Sequence, residues 1–251
     1  MNLLRSEWIK LRTVTMHWVL AVIAVAFPLI VTLLTAVFSG DDSEFGTNDL
    51  IGVLTGTTVV AALLCGSLAA ASITGEFGFG TIRPTFAATP KRLKVVAAKV
   101  IIVVSFTTEL AIVVQLIGWY LGGAIARGQG ATIDLAEVPT GLPAMAGAVV
   151  LTALMTLAGF GLGLLTRSTA VAVALLIVWP LIAEGLVGQL LVLATDNENV
   201  RNWMPFQAGI RLVFVDGLGN GPSRVVAGFY FGAVAAALTV LGAWLVDRRD
   251  A

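Results

Sequence analysis

Six long apolar runs restrict the fold of this chain more than any other feature of its sequence. They cover residues 18–38, 51–73, 100–126, 144–165, 169–193 and 225–246. Each reaches the roughly 20 residues that an α-helix needs to cross the hydrocarbon layer of a bilayer. The runs are continuous rather than alternating, which favours helices over the strands of a membrane barrel. The sequence therefore predicts an all-α membrane protein in which residues 1–251 form a single six-helix bundle.

The placement of charge predicts how this bundle is oriented. Only 12% of the residues are charged, against about a quarter in soluble domains. If residue 1 is cytoplasmic, the cytoplasmic segments hold eleven of the fifteen Lys and Arg residues, namely Arg5, Lys10, Arg12, Arg83, Lys91, Arg92, Lys94, Lys99, Arg167, Arg248 and Arg249. The outer segments hold the other four, Arg127, Arg201, Arg211 and Arg224. Basic residues collect in short cytoplasmic loops, so we expect both termini in the cytoplasm.

Three segments outside the apolar runs have patterns of their own. Residues 1–16 predict an interfacial helix, with Leu4, Trp8 and Leu11 on one face, or else a plain extension of the first span. Residues 194–224 are apolar but too interrupted to span, so we expect short outer helices at the membrane surface, as in re-entrant segments. The cytoplasmic segment 74–99 is too long to be a simple connector.

This last segment predicts a short helix between the second and third spans. Thr81 can cap its first turn, and Ile82 and Phe86, four residues apart, share an apolar face. Thr89 and Pro90 form a second helix start, with Pro at the first helical position. A short helix that is half apolar and half basic suits docking into the groove of a partner protein. A basic loop bound to lipid headgroups would have the same composition.

The order of motifs in this segment resembles the coupling segment of type-2 ATP-binding cassette (ABC) exporter permeases. The motifs are Glu76, then Gly80-Thr81-Ile82, then Thr89-Pro90-Lys91-Arg92. The start at Ser6-Glu-Trp-Ile-Lys-Leu-Arg, the Trp203-Met-Pro-Phe before the last span and the ending Asp247-Arg-Arg-Asp-Ala are similar to those of many actinobacterial members. The resemblance covers the whole chain. Arg83 departs from it, because members often carry an acidic residue there.

The resemblance implies the permease subunit of an ATP-driven exporter in the bacterial plasma membrane. It also implies a separate ATPase, with its own ATP and magnesium, acting on Glu76, Gly80, Thr81, Ile82, Arg83, Phe86, Thr89 and Pro90. The sequence contains no Gly-x-x-x-x-Gly-Lys-Ser/Thr motif that would hold nucleotide phosphates, so we expect no cofactor in this chain. The expected partners are that ATPase, a second permease chain (identical or homologous) and the lipid bilayer, but no nucleic acid.

Two carboxylates fall inside the predicted spans. Glu109 lies about 13 Å past Val100 along a helix and hence near the midplane, whereas Glu184 lies in the outer third of its span. A carboxylate that faces lipid at the helix centre costs at least about 2.5 kcal/mol, so both are expected to face the bundle interior or a wet cavity. They either line the translocation pathway or form interhelical hydrogen bonds, with Gln115 as a candidate partner of Glu109. For Glu184 the interhelical hydrogen bond is favoured, because this residue lies close enough to the outer interface to be hydrated. Pro180, one turn earlier, is expected to kink this helix.

The residues that catalytic or metal sites require are too few in this sequence. It contains one histidine, His17, and one cysteine, Cys65. These cannot supply a metal-ligand set, a Cys–His pair or a Ser–His–Asp triad. We therefore predict no catalytic or metal residue and do not expect an enzyme. His17 is expected at the membrane interface and Cys65 in the core.

Two other functions remain open at this point. A non-transporting membrane scaffold or immunity factor could keep the same fold. A stand-alone secondary transporter is less favoured, because it would show internal repeats and paired intramembrane charges. The sequence does not indicate which substrate an exporter of this kind would carry.

Overall fold

The computed structural model describes residues 3–41, 45–88, 91–215 and 220–249. We label its α-helices of six or more residues in chain order, and count each α-helix that continues through a π-helical turn as one. They are α1 Leu3–Thr13, α2 Thr15–Phe38, α3 Thr47–Gly78, α4 Ile82–Ala88, α5 Arg92–Gly128, α6 Gly141–Thr166, α7 Thr169–Thr195, α8 Pro205–Ile210 and α9 Arg224–Arg249. The described residues contain no strand.

Six of these helices, α2, α3, α5, α6, α7 and α9, are long and apolar enough to cross a membrane. The prediction of an all-α protein with six spanning helices is confirmed. Each of the six spanning helices includes its apolar run and extends beyond it at one end or both, because the backbone hydrogen bonds of a helix can continue into polar sequence. The extension is largest in α5, which begins at Arg92 rather than at residue 100 and so brings Lys99 into the helix.

Helices α3 and α6 form the centre of the bundle. In the most apolar window of each, 61% of the residues are buried, against 22–33% in the other four spanning helices. The two helices touch backbone to backbone, since a Cβ atom on Gly159 would collide with the carbonyl group of Gly66. Small residues permit this close approach in a membrane, where van der Waals packing holds helices together.

Two spanning helices contain a π-helical turn, at Gly118–Gly122 in α5 and at Trp179–Ala183 in α7. The second turn includes Pro180, the residue expected to kink this helix. Proline has no N–H to donate to the preceding turn, and a single widened turn is a common way to accommodate an interruption of the helical hydrogen bonds. The helix is therefore interrupted at Pro180, as predicted, and the interruption takes the form of one widened turn.

The bundle has two ends, which we name for use below. The terminal face comprises α1, the connection from α3 to α5, the Arg167–Ser168 turn and the end of α9. There the Arg92 guanidinium donates to the Asp247 carbonyl at 3.3 Å, and the Arg167 guanidinium lies 4.8 Å from the centre of the Phe77 ring. The opposite end, formed by the other interhelical connections and α8, is the loop face.

Helix α1 packs on α5 and α2, and only part of the face inferred from the sequence takes part. Leu11 is buried, and the Trp8 ring lies 5.8 Å from that of Phe106 in α5. The buried residues of α1 are Glu7 and Leu11, whereas Leu4 is 44% exposed. The sequence-based prediction put only apolar residues on one face of α1, because a carboxylate such as that of Glu7 normally faces water. Glu7 faces the bundle instead, because the bundle supplies cations there.

Candidate functional site

The connection between α3 and α5 projects from the terminal face. Helix α3 continues past its apolar run to Gly78, so the connection starts on a rigid stem. The turn that follows includes Gly80 with φ +70°, a left-handed conformation that glycine adopts without a steric penalty. Helix α4 begins immediately afterwards at Ile82, so the turn fixes the direction in which α4 leaves the stem.

Helix α4 turns its large apolar side chains toward the bundle. Ile82 and Phe86 are buried in an apolar cluster that includes Leu11 and Val95, and the Arg92 guanidinium lies 5.6 Å from the centre of the Phe86 ring. The sequence suggested that these two side chains form the docking face. They instead hold α4 to the bundle, because the bundle offers them an apolar surface.

The side of α4 that faces away from the bundle is also uncharged at its described positions. Phe79, in the preceding turn, is 87% exposed, and Pro84 and Ala87 of α4 are exposed as well. We call Phe79, Thr81, Pro84 and Ala87 the outer edge. A nearly fully exposed phenylalanine is the most prominent apolar group at this end of the described chain.

The ends of α4 differ in detail from the sequence-based expectation. Thr81 precedes the helix, but its hydroxyl donates to the Glu76 carbonyl at 3.5 Å rather than capping α4. Helix α5 begins at Arg92 and not at Pro90, because Lys91, with ψ +79°, is outside the helical region. Thr89 and Pro90, and the side chain of Arg83, lie outside the described residues.

Four charged side chains meet beneath α4, and we call Glu7, Lys10, Glu76 and Lys99 the ionic cluster. Lys99 Nζ lies 2.5 Å from Glu7 Oε2 and 2.9 Å from Glu76 Oε1. Lys10 Nζ lies 2.8 Å from Glu7 Oε1 and 3.1 Å from Glu76 Oε1. The side chains of Glu7 and Lys99 are only 1% and 7% exposed, so water screens their attraction weakly.

The ionic cluster joins every element around the connection. Glu7 and Lys10 come from α1, Glu76 from the end of α3 and Lys99 from the start of α5. Lys10 Nζ also reaches the Thr85 hydroxyl of α4, at 3.4 Å. Any movement of α4 relative to the bundle would therefore be shared with α1, α3 and α5.

Sequence reasoning found only part of this cluster. It placed Glu76 in the coupling segment but assigned Lys99 to the lipid headgroup layer and gave Glu7 no role. Glu7 and Lys10 are three residues apart, which is a recognisable helical ion pair. Their meeting with Glu76 and Lys99 depends on tertiary packing, which no spacing in the sequence encodes.

The cluster favours the charged forms of its α1 members. Burial alone would raise the pKa of Glu7, but the charges and hydrogen bonds of Lys99 and Lys10 outweigh it, and the pKa lies below its ordinary value. Burial likewise would lower the pKa of Lys10, yet its bonds to Glu7 and Glu76 hold it above the ordinary value. Both groups are therefore charged at neutral pH.

Comparison with known proteins identifies the family of this chain. Residues 3–182 match the model of a family described as ABC-2 family transporter protein. The chain belongs to this family. None of the curated proteins and none of the solved structures matches it significantly.

Membership of the ABC-2 family makes the chain a membrane permease subunit of an ABC transporter. It also implies an ATPase partner and a multi-pass membrane location. Subunits of this family transport and are generally not catalytic themselves. The matched region contains the ionic cluster, α4 and the outer edge, and it ends within α7.

In this ABC-2 permease, Glu184 is wholly buried in α7. Its two carboxylate oxygens accept hydrogen bonds from the backbone N–H groups of Phe206, at 2.7 Å, and Gln207, at 2.9 Å. These N–H groups belong to the first turn of α8, where a helix has unsatisfied donors. The interhelical hydrogen bond favoured from the sequence is present, but the expected hydration is wrong, because α8 covers the carboxylate.

Glu109 does not face the bundle interior as expected, but lies exposed on the surface of this chain. Gln115 is buried and donates to the Thr58 hydroxyl at 2.8 Å, so it is not the partner of Glu109. The two residues are six positions apart, or about 120° around a helix. They therefore lie on different faces of α5.

The single histidine and cysteine lie inside the protein. His17 is buried at the start of α2, where its Nδ1 lies 3.1 Å from the Leu11 carbonyl oxygen, so it links α2 to the end of α1 rather than facing the membrane interface. Cys65 is buried in α3. Among the described residues, no group of three His, Cys, Asp or Glu side chains is placed to hold a metal ion.

Proposed function

We propose that this chain is the membrane-spanning subunit of an ATP-driven exporter and forms the translocation pathway with a second permease chain. A separate nucleotide-binding ATPase would supply the energy and would dock on the outer edge. The observation that carries this proposal is the arrangement of α4. One of its sides is exposed and apolar beside Phe79, and the other is fixed to three neighbouring helices.

The proposal requires the terminal face to be cytoplasmic. That face holds most of the basic residues, and such a bias is typical of cytoplasmic loops. The cell would then be a bacterium with the chain in its plasma membrane. The terminal motifs, which are similar to actinobacterial members, support assignment to that branch of the family.

The packing of the bundle suggests how docking would move the pathway. Nucleotide-driven closure of the ATPases would displace α4, and the ionic cluster would transmit this displacement to α1, α3 and α5. Helix α3 is continuous from Thr47 to Gly78 and meets α6 backbone to backbone where Gly66 contacts Gly159. That contact would serve as the pivot, and a tilt of the rigid helix about it would move the opposite end of the bundle.

A co-purification experiment tests the docking step. The tagged chain would be expressed with a candidate P-loop ATPase from the same genome, as the natural sequence and as Phe79→Asp. A central aromatic anchor at an interface is commonly worth about 2 kcal/mol or more, so we expect at least about a tenfold loss of bound ATPase. Phe86→Asp is unsuitable, because Phe86 is buried against the bundle.

Two control variants separate docking from misfolding and from net charge. Phe79→Leu keeps an apolar side chain and should retain the ATPase. Asn199→Asp adds the same single negative charge at an exposed position of the loop face, and should also retain it. Recovery of a normal complex with Phe79→Asp would refute the docking surface. A non-transporting scaffold would bind the ATPase in the same way, but cells that express it would show no export.

A further inference from the structure

A cavity of about 350 Å³ lies beside the ionic cluster, where α1, α2, α3 and α5 meet at the terminal face. Leu11, Ala71 and Val103 give it an apolar wall. All four members of the ionic cluster and His17 contribute polar groups to its lining. The cavity is therefore amphipathic, and neither the family match nor the docking of an ATPase explains it.

Two carboxylate oxygens in this cavity, Glu7 Oε2 and Glu76 Oε2, have no hydrogen-bond partner among the described residues. Glu7 Oε2 lies 2.5 Å from Lys99 Nζ and is paired by charge. Glu76 Oε1 contacts both Lys10 and Lys99, whereas no described group donates to the buried Glu76 Oε2. Buried polar atoms are nearly always paired. The free oxygen therefore calls for a ligand that donates a hydrogen bond.

His17 supplies a second acceptor in the cavity lining. Its Nδ1 lies 3.1 Å from the Leu11 carbonyl oxygen, which can only accept a hydrogen bond, so Nδ1 carries a proton. In the neutral ring Nε2 is then an acceptor. Two acceptors suit a donor with several N–H groups, such as a primary ammonium.

The charges of the cavity favour a ligand that is neutral overall. Two glutamates and two lysines balance each other, so a bare cation would be repelled by Lys10 and Lys99, and a bare anion by the glutamates. A zwitterion avoids both penalties. Lys10, whose side chain is 38% exposed, is the more accessible of the two cations and lies where a phosphate can approach.

The position of the cavity indicates that this zwitterion is carried by a lipid. Helix α1, which forms one wall, exposes Leu4 and Ile9 as well as Arg5 and Arg12, the mixture typical of a helix lying in the headgroup layer. The apolar wall extends from the ionic cluster into the spanning helices, so it can hold the beginning of an acyl chain.

We propose that this cavity binds the headgroup of phosphatidylethanolamine from the leaflet at the terminal face. The primary ammonium donates to Glu76 Oε2, and the phosphate lies toward Lys10. The lipid thereby completes the polar contacts between α1 and the stem of α4. Phosphatidylcholine has no N–H group to donate to Glu76. Phosphatidylglycerol has hydroxyl donors, but its net negative charge is unfavourable beside two glutamates.

Two glycines of α3 provide matched variants for testing this site. Gly75 lines the cavity, and a Cβ atom there meets nothing within 4 Å. Gly78 has the same open surroundings one turn later but does not line the cavity. Gly75→Leu therefore fills the cavity without a backbone clash, and Gly78→Leu makes the same change outside it.

The experiment measures which lipid remains bound to the full chain. Purified protein would be equilibrated with equal amounts of phosphatidylethanolamine, phosphatidylcholine and phosphatidylglycerol, and the retained lipid counted by native mass spectrometry. A charge-assisted hydrogen bond predicts about a tenfold preference for phosphatidylethanolamine. Gly78→Leu should keep this preference, and Gly75→Leu and Glu76→Gln should lose it. Equal retention of the three lipids by the natural chain, or an unchanged preference in Gly75→Leu, would overturn the proposal.

Discussion

The two ends of the bundle satisfy their buried charges in different ways. At the terminal face, the ionic cluster shares its contacts among side chains, so Lys10 and Lys99 can each pair with Glu7 or Glu76. At the loop face, one carboxylate, Glu184, binds two backbone N–H groups of α8. Shared side-chain pairs can rearrange when helices shift, whereas a backbone cap keeps one geometry. The comparison indicates a terminal face built to transmit movement and a loop face built to hold its shape.

The largest expected effect is at the loop face. Glu184→Ala would leave the N–H groups of Phe206 and Gln207 buried without an acceptor. Each lost bond to a charged group costs about 1.5–3 kcal/mol, so the loss of two bonds should lower the free energy of unfolding by about 3–6 kcal/mol. Thermal unfolding of the detergent-solubilised protein, followed by tryptophan fluorescence, would measure this loss.

Glu109→Ala is the matched control for Glu184→Ala. It removes the same carboxylate from a spanning helix, but from an exposed position. No described hydrogen bond depends on its carboxylate, so the free energy of unfolding should change by less than about 0.5 kcal/mol. Equal losses in the two variants would show that the cap of α8 has no special role.

The second prediction concerns the ionic cluster. Lys99→Met should destabilise the protein by about 1–3 kcal/mol, less than the roughly 3–5 kcal/mol for breaking a buried pair outright, because Lys10 still reaches both carboxylates. Adding Glu7→Gln to Lys99→Met should restore part of the loss. Unfolding measurements on the two single variants and the double variant give this coupling directly. Strictly additive losses would mean that the pair is not coupled.

Features that depend on residues close together in the sequence could be predicted, and features that depend on contacts between distant segments could not. The apolar runs and the irregularity at Pro180 are local, so the sequence predicts them. The rotation of α1 and the burial of Lys99 depend on contacts between distant segments, so the sequence leaves them open. The different faces of Glu109 and Gln115 could have been predicted from their spacing, whereas the burial of Glu184 could not, because the segment that covers it is not a regular span.

The third and smallest effect is a dependence on acid. The pKa of Glu7 in the folded protein lies below its ordinary value of 4.5, so its stabilising contribution is present above that value and is lost as the pH falls through the folded pKa. Acidification from pH 7 to well below 4.5 should therefore loosen α1, seen as faster exchange of its backbone amides once intrinsic rates are corrected. Amides of α6, which contains no titratable side chain, provide the internal reference. The same acid response in Glu7→Gln and in the natural chain would show that ionised Glu7 does not hold α1 to the bundle.

The most direct test of the central claim is the side of the membrane on which the outer edge lies. Cys65 is only 2% exposed, so Phe79→Cys would introduce the one accessible thiol among the described residues. A membrane-impermeant maleimide should label Phe79→Cys in inside-out vesicles but not in intact cells. Glu198→Cys, at an exposed position of the loop face, should show the opposite pattern. Labelling of Phe79→Cys from outside intact cells would place α4 beyond the reach of any cytoplasmic ATPase and contradict the account.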